Sequence, residues 1–311
     1  MEAYLFVICI VIFTGSYSSP TTDDSPELTL KVLIHQTTLL LDHVTKLKKV
    51  AAEQRNSSKI YDGTCSTLSE RLTPPMQVIQ IFKNCNEIYE AGHFASGVYS
   101  IHLFHGQTSI NVFCDMETVG SFSNKRGWII IQQRMNGRVN FDRGWNDYVD
   151  GFGFPDDEQW LGLRNILRIT NQKKIGKYDT SNTILRIELE DWDGVKAFLE
   201  YSSFALTSEQ YDFQIRNLGP HNATPGIGNY MAFSMHIRFS TSDHNNDAWR
   251  RANCVKSQRG GWWFGYCGHI NLNGVYSHKR EKISNQKIFV RNWRILNPNN
   301  TAFRYVSMKL Q

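Results

Sequence analysis

Beyond its first residues this chain has no long apolar run, so no later stretch approaches the roughly 20 residues needed to span a bilayer. It has no Gly-X-Y repeat, which excludes a collagen stalk. Neither G-x-S-x-G, H-E-x-x-H nor a phosphate-cradling glycine loop occurs, and the enzyme classes those motifs mark find no support. No Cys/His spacing suggests zinc. Charge of one sign is also scarce. The 34 Lys and Arg stand against 29 Asp and Glu, and a net +5 without an RRM, zinc-finger or basic-helix pattern gives no nucleic-acid partner.

Aromatic residues, in contrast, are plentiful. They make up 13% of the chain, and all eight tryptophans fall between Trp128 and Trp293, which places the core there. The one apolar run, Tyr4 to Phe13, ends in Thr14-Gly15-Ser16-Tyr17-Ser18, small residues suited to signal peptidase. Residues 1–18 therefore read as a cleaved signal peptide, although Glu2 replaces the usual basic start; a signal anchor is the alternative. Removing Cys9 with that segment leaves Cys65, Cys85, Cys114, Cys254 and Cys267. An odd number in an oxidising compartment points to one thiol pairing between chains. Three sequons agree with secretion: Asn56-Ser57-Ser58, Asn222-Ala223-Thr224 and Asn299-Asn300-Thr301.

Residues 19–60 form a Ser/Thr/Pro/Asp leader followed by a heptad-like stretch, Leu30, Leu33, Thr37, Leu40, Val44, Leu47 and Ala51. A helix would align these in one seam, and so short a helix is marginal alone, so a homo-oligomeric coiled coil is expected. The alternative is a helix packed on its own globule. Cys65 follows the seam and is the candidate interchain bridge, a free or capped thiol being the other reading. Residues 61–84 read as a linker broken by Pro74-Pro75, and the globular domain is expected over 85–311.

Within that domain strands dominate. Thr183, Leu185, Ile187 and Leu189 alternate with Arg186, Glu188 and Glu190; Asp193-Gly194 offers a turn; Val195, Ala197, Leu199 and Tyr201 alternate again. Tyr211, Phe213 and Ile215 predict a third strand of an antiparallel meander. Trp160, Leu163 and Leu167 after Pro155-Asp156-Asp157-Glu158 predict a short covering helix. Past about residue 240 periodicity gives way to Gly, Asn, Trp and charge, a loop-rich region. Glu188, Glu190, Asp191 and Asp193 form a carboxylate cluster of the composition a glycosidase pair would draw on. Strand alternation instead puts the two glutamates on one exposed face and Asp193 in a turn, so no catalytic residue is expected.

The ordered series Asn84-Cys85-Asn86-Glu87-Ile88-Tyr89, Ser96-Gly97-Val98-Tyr99, Val112 to Thr118, Gly127-Trp128, Ile131-Gln132-Gln133-Arg134, Phe141 to Gly151 and Trp160-Leu161-Gly162 resembles the fibrinogen C-terminal domain family. Leu185 to Gly194, Phe239-Ser240-Thr241, Asn253-Cys254, Gly260-Gly261-Trp262-Trp263, Cys267 and Asn271 to Tyr276 continue it. The resemblance implies an α+β fold, with an antiparallel central sheet and a loop-rich ligand subdomain. It also implies bridges Cys85–Cys114 and Cys254–Cys267. By the same resemblance a calcium ion is expected on Asn245 and Asp247 side chains and the Trp249 carbonyl, weakened because Asn245 stands where relatives place a carboxylate.

Relatives such as ficolins and tachylectins take acetylated sugars beside the second bridge, which implies a ligand pocket at Gln258, Phe264, Tyr266, Cys267, Gly268 and His269. The resemblance further implies a cis Tyr266-Cys267 bond. Gln258, Gly268 and Val290 depart from the family pattern, and His278, Lys279, Arg280, Lys282, Lys287 and Arg291 make the rim basic, a surface for sialylated, sulfated or other anionic groups. The expected function is a secreted, calcium-assisted, lectin-like recognition protein of innate-defence type, binding glycans or acetylated groups on cell or microbial surfaces. The alternative is an extracellular signalling or matrix protein whose domain binds a protein receptor.

Overall fold

The computed structural model describes residues 80–103, 108–171, 183–247 and 253–311. The signal peptide, the heptad stretch, Cys65, Asn56 and Trp249 lie outside the described residues. Chain order begins with a short helix α1 (Cys85–Glu90), started by Asn84, whose side chain accepts the Glu87 amide. Strands β1 (Gly97–Leu103), β2 (Thr108–Asp115) and β3 (Trp128–Arg134) follow. Helix α2 (Trp145–Asp150), the short strands β4 (Phe152–Gly153) and β5 (Gln159–Trp160), and helix α3 (Leu163–Asn171) come next. Then come β6 (Leu185–Asp191), β7 (Lys196–Tyr201), β8 (Phe204–Leu206), β9 (Ile215–Leu218) and β10 (His221–Ala223). Helix α4 (Cys254–Gln258) opens the loop-rich part, which holds β11 (Ile270–Asn271) and β12 (Phe289–Val290) before the final β13 (Phe303–Leu310).

The main sheet runs β1-β2-β3-β13-β6-β7-β10, antiparallel throughout, with β4 and β5 attached beside β3. Strand β13 thus sits in the middle, Val306 opposite both Arg134 and Leu189. The sheet buries one face by simple alternation. Leu185, Ile187 and Leu189 on β6 and Leu199 and Tyr201 on β7 are buried, as the β6–β7 pattern predicts. The turn between them is fixed by Asp191, whose Oδ1 accepts the amides of Asp193 and Val195 at 2.9 Å each. Gly194 takes φ +81° there, a conformation other residues adopt only with strain.

Two sequence expectations fail locally. Tyr211 ends a 3-10 turn and Phe213 has φ +47°, so strand β9 begins only at Ile215 and pairs with β8 in a separate two-stranded ribbon. Pattern misleads here because Phe213 is buried by a turn, its carbonyl capturing the Trp263 indole N–H at 2.8 Å. The covering helix, too, starts late. Trp160 belongs to β5, and α3 begins at Leu163 after Gly162, with Leu163, Ile166 and Ile169 buried. The acidic Pro155-to-Glu158 stretch is the turn linking β4 to β5, and Glu158 is fully buried.

The charged face of the sheet is also less open than alternation implies. Glu188 and Glu190 are three-quarters or more covered. Glu188 is bonded to Arg186 and Lys309, while Glu190 accepts Arg304 at 2.8 Å. The four carboxylates near 188–193 serve the fold. Asp191 Oδ2 accepts the Trp293 indole and the Asn297 amide, and Asp193 holds Arg280, Asn297, Asn299 and Thr301. A ladder of this kind ties the loop-rich region to the β6–β7 turn.

Candidate ligand-binding site

Two disulfides are formed. Cys85–Cys114 joins α1 to β2, and Cys254–Cys267 closes a short loop with Cα atoms 4.8 Å apart. In the chain-entropy account a loop that short contributes about 3 kcal/mol. Helix α4 is started by Asn253, whose side chain accepts the Lys256 amide, and it ends with Gln258 turned inward. The Gln258 amide donates to the Cys267 carbonyl, clasping the two ends of the bridged loop, while its Oε1 is buried without a partner.

Tyr266, Cys267 and Gly268 follow one another at φ +55°, +57° and +72°. Successive left-handed residues are costly for side-chain-bearing positions, and strain of that kind persists where surrounding structure holds it. The bond expected to be cis is trans, since no cis peptide occurs among the described residues. Left-handed backbone on either side of the Tyr266-Cys267 bond makes the reversal instead. This geometry drives Tyr266 outward, 72% exposed on a rigid support. His269, just after this run, stacks on Phe233 with ring centroids 3.6 Å apart, and Phe233 is itself 52% exposed. Arg291 Nη1 approaches His269 Nε2 at 2.7 Å. Burial first, and then the Arg291 charge, push the His269 pKa down, so the neutral ring accepts from the guanidinium.

A cleft of about 340 Å³ adjoins the disulfide. Gln258, Cys267 and Gly268 form one wall, and Phe289, Val290 and Arg291 of the β12 segment contribute to the other. Three of the six pocket residues expected from sequence therefore meet there. Phe264 does not, being fully buried beside Trp262 and Trp263, so it supports the loop from beneath. Tyr266 and His269 do not line the cleft; Tyr266 is exposed, and His269 stacks on Phe233. Phe233 escaped the sequence reading because it sits on a 3-10 turn (Tyr230–Ser234) more than thirty residues upstream, with no motif to mark it. The basic rim is partly neutralised: Arg280 is bound by Asp193, Lys287 by Glu281, and Arg291 faces His269.

The calcium loop can be tested on its own donors. Asn245 Oδ1 accepts the Asp247 amide at 3.1 Å, and Asp247 Oδ2 accepts the Cys254 amide at 2.9 Å. Asp243, the other carboxylate nearby, turns to the Trp145 amide and the Thr241 hydroxyl. Among the described residues no three His, Cys, Asp or Glu side chains converge as a metal cluster. Asn245 and Asp247 supply one amide and one carboxylate toward the six to eight oxygens calcium takes, and the Trp249 carbonyl expected beside them lies outside the described residues.

The described residues thus form a nine-stranded antiparallel sheet carrying a disulfide-closed, loop-rich subdomain with a cleft beside the bridge. The chain belongs to the family of the C-terminal globular domain of fibrinogen beta and gamma chains, whose model matches residues 81–311. Angiopoietin-4 of Bos taurus is 35% identical over 244 residues, covering 78% of this chain and 42% of its own length. Fibroleukin of Bos taurus is 35% identical over 241 residues, covering 75% of this chain and 51% of its own. The fibrinogen-like globe domain of human ANGPTL2 superposes with a TM-score of 0.64 at 32% identity, covering 74% of this chain and 98% of that one. The chain spans about half the length, or less, of the curated relatives it matches. Among the described residues no helix is long and apolar enough to cross a membrane.

Proposed function

We propose that this chain is a secreted protein ligand whose fibrinogen-like globe grips a protein receptor. Its relatives include several angiopoietins and an angiopoietin-related protein, which favours this reading over the lectin expected first. The observation that carries it is Tyr266, projected from the left-handed turn at the Cys254–Cys267 bridge, in the same segment as His269, on which the exposed Phe233 stacks and against which Arg291 lies. Exposed aromatic side chains on a rigid support, with an arginine nearby, are the residue types that dominate protein–protein binding energy. An acetyl-sugar pocket has less support, because Phe264 is buried and Gln258 is committed to the Cys267 carbonyl. Oligomerisation through the 30–51 seam would multiply weak single contacts by avidity, about 10²–10⁴-fold.

The test is capture of the full chain by a panel of receptor ectodomains, with the same protein applied to a glycan array. A receptor hit weakened about 30-fold by Tyr266→Ala, roughly 2 kcal/mol, is the expected result. The melting temperature should hold, since the side chain is exposed. Selective glycan binding without receptor capture would return the lectin reading to first place.

Calcium goes no further in this reading than a weakly held ion of the 243–254 loop. Millimolar calcium is expected to raise the melting temperature by less than about 1 °C, and EDTA to leave receptor capture unchanged. A rise of about 5 °C, equivalent to roughly 1–2 kcal/mol of linked binding, would show a complete cage assembled with donors outside the described residues.

A further inference from the structure

Two sequons fall among the described residues; the threonine of each is engaged by the fold, Thr224 Oγ1 accepting the Phe198 amide at 3.0 Å, but their asparagines are held differently. Asn222 lies at the middle of β10, the three-residue strand that ends the main sheet, and it is exposed. Its amide makes no side-chain hydrogen bond among the described residues. Asn299 is exposed as well, but its Nδ2 donates to Asp193 Oδ2 at 3.2 Å, and Thr301 is buried with its hydroxyl on the same oxygen at 2.6 Å. Asn297, two residues earlier, donates to both Asp191 and Asp193. The second sequon is thus built into the clamp that fastens the loop-rich region to the β6–β7 turn.

The surroundings of Asn222 point to a role. A sheet edge presents unpaired backbone groups to any passing strand, and proteins blunt such edges by brevity, proline and bulky or charged cover. Strand β10 is short, and Pro220 and Pro225 flank it in the sequence. Its partner β7 pairs Glu200 with Asn222, and among the described residues no strand pairs with the outer side of β10. The opposite edge, β1, is closed differently: the His102 amide donates to the Phe82 carbonyl, so the chain leading into the domain covers it.

We infer that Asn222 carries an N-linked oligosaccharide that guards the β10 edge against strand-to-strand association, and that the folded, secreted protein carries none at Asn299, because a glycan there would keep that sequon from closing the clamp on Asp193. This rests on the secretion reading, so the experiment uses protein recovered from the medium of animal cells with both disulfides formed. Failure to appear in the medium would count against secretion itself.

Enzymatic release of N-glycans in heavy-oxygen water, followed by peptide mapping, reads the two sites separately. Conversion of Asn222 with Asn299 unconverted is expected. An unmodified Asn222, or comparable occupancy of Asn299, overturns the assignment. The guard role is read by light scattering on Asn222→Gln, with Thr224→Ser as the variant that keeps the sequon. The first should show at least a several-fold larger aggregated fraction on mild heating and the second should match the parent. Equal aggregation of all three would end the edge-guard role.

Discussion

Glutamine in place of Glu158 is expected to destabilise the domain by about 3–5 kcal/mol, the cost typical of breaking a buried ion pair from one side. Glu158 is fully buried. Its Oε1 accepts the amides of Met135, Asn136 and Gly137 at 2.8, 3.1 and 2.8 Å, and its Oε2 that of Val139 at 3.0 Å. Four backbone donors converge on one carboxylate, and glutamine would turn an N–H₂ toward at least one of them. The charge matters as well. Arg134, also buried, lies 3.9 Å away with its guanidinium 3.8 Å above the Phe141 ring. Burial pulls the Arg134 pKa down to about 10, and Glu158 is the first group opposing that fall. Chemical denaturation measures the loss. The double variant Glu158→Gln/Arg134→Met should recover part of it, because the stranded charge is then gone. A single-variant loss below about 1 kcal/mol would mean that the four amides find water instead.

The second large effect concerns Lys309. This buried lysine bonds Asp115 at 2.5 Å, Glu188 at 2.6 Å and the Thr118 hydroxyl at 3.0 Å, on the charged face of the sheet. Burial pushes the Asp115 carboxyl up, but the Lys309 charge and the hydrogen bonds from Lys309 and Thr118 outweigh it and leave a pKa of about 2. Glu188 is lowered as well: burial opposes ionisation there, and Lys309 and then Arg186 overcome it. Both folded values lie below the ordinary ones of 3.8 and 4.5. The stability they contribute is therefore present above about pH 4.5 and is lost as pH falls toward 2.

Lys309→Met should cost about 3–5 kcal/mol at pH 7, since two part-buried carboxylates then face each other. It should also reverse the acid limb. The unpaired carboxylates acquire raised pKa values, so mild acid relieves the variant while it weakens the parent. Melting temperatures from pH 7 to 3 should converge. Parallel curves would show that Arg186 alone carries the pairing.

Sequence pattern exposed the parts of the domain that repeat. The alternation from Thr183 to Leu189 and from Val195 to Tyr201 has one physical cause, a half-buried sheet, and the β6–β7 hairpin follows from it. The landmark residues of the family likewise located the two bridges and the subdomain they brace. What pattern could not supply was any contact made across the chain. Glu158 looked like a helix start because acidic residues favour that position, yet its partners are amides of the loop after β3. Lys309 lies on a strand whose neighbours are fixed only by the sheet order. Phe233 and His269 come together through the 3-10 turn and the left-handed run, neither of which has a period to detect. Phe264 reads as a pocket wall from its place beside the disulfide, and only packing shows that it faces the core.

The central position of β13 sets the order in which the domain can assemble. Its pairings join Met308 to Gln132 on one side and to Ile187 on the other, contacts between residues far apart in sequence. Loop closure of that span must come before the rewards of burial, which makes folding slow relative to domains built from local contacts. Until β13 arrives, β3 and β6 each present an unpaired edge. The nascent chain therefore passes through its most aggregation-prone state just before the last strand docks.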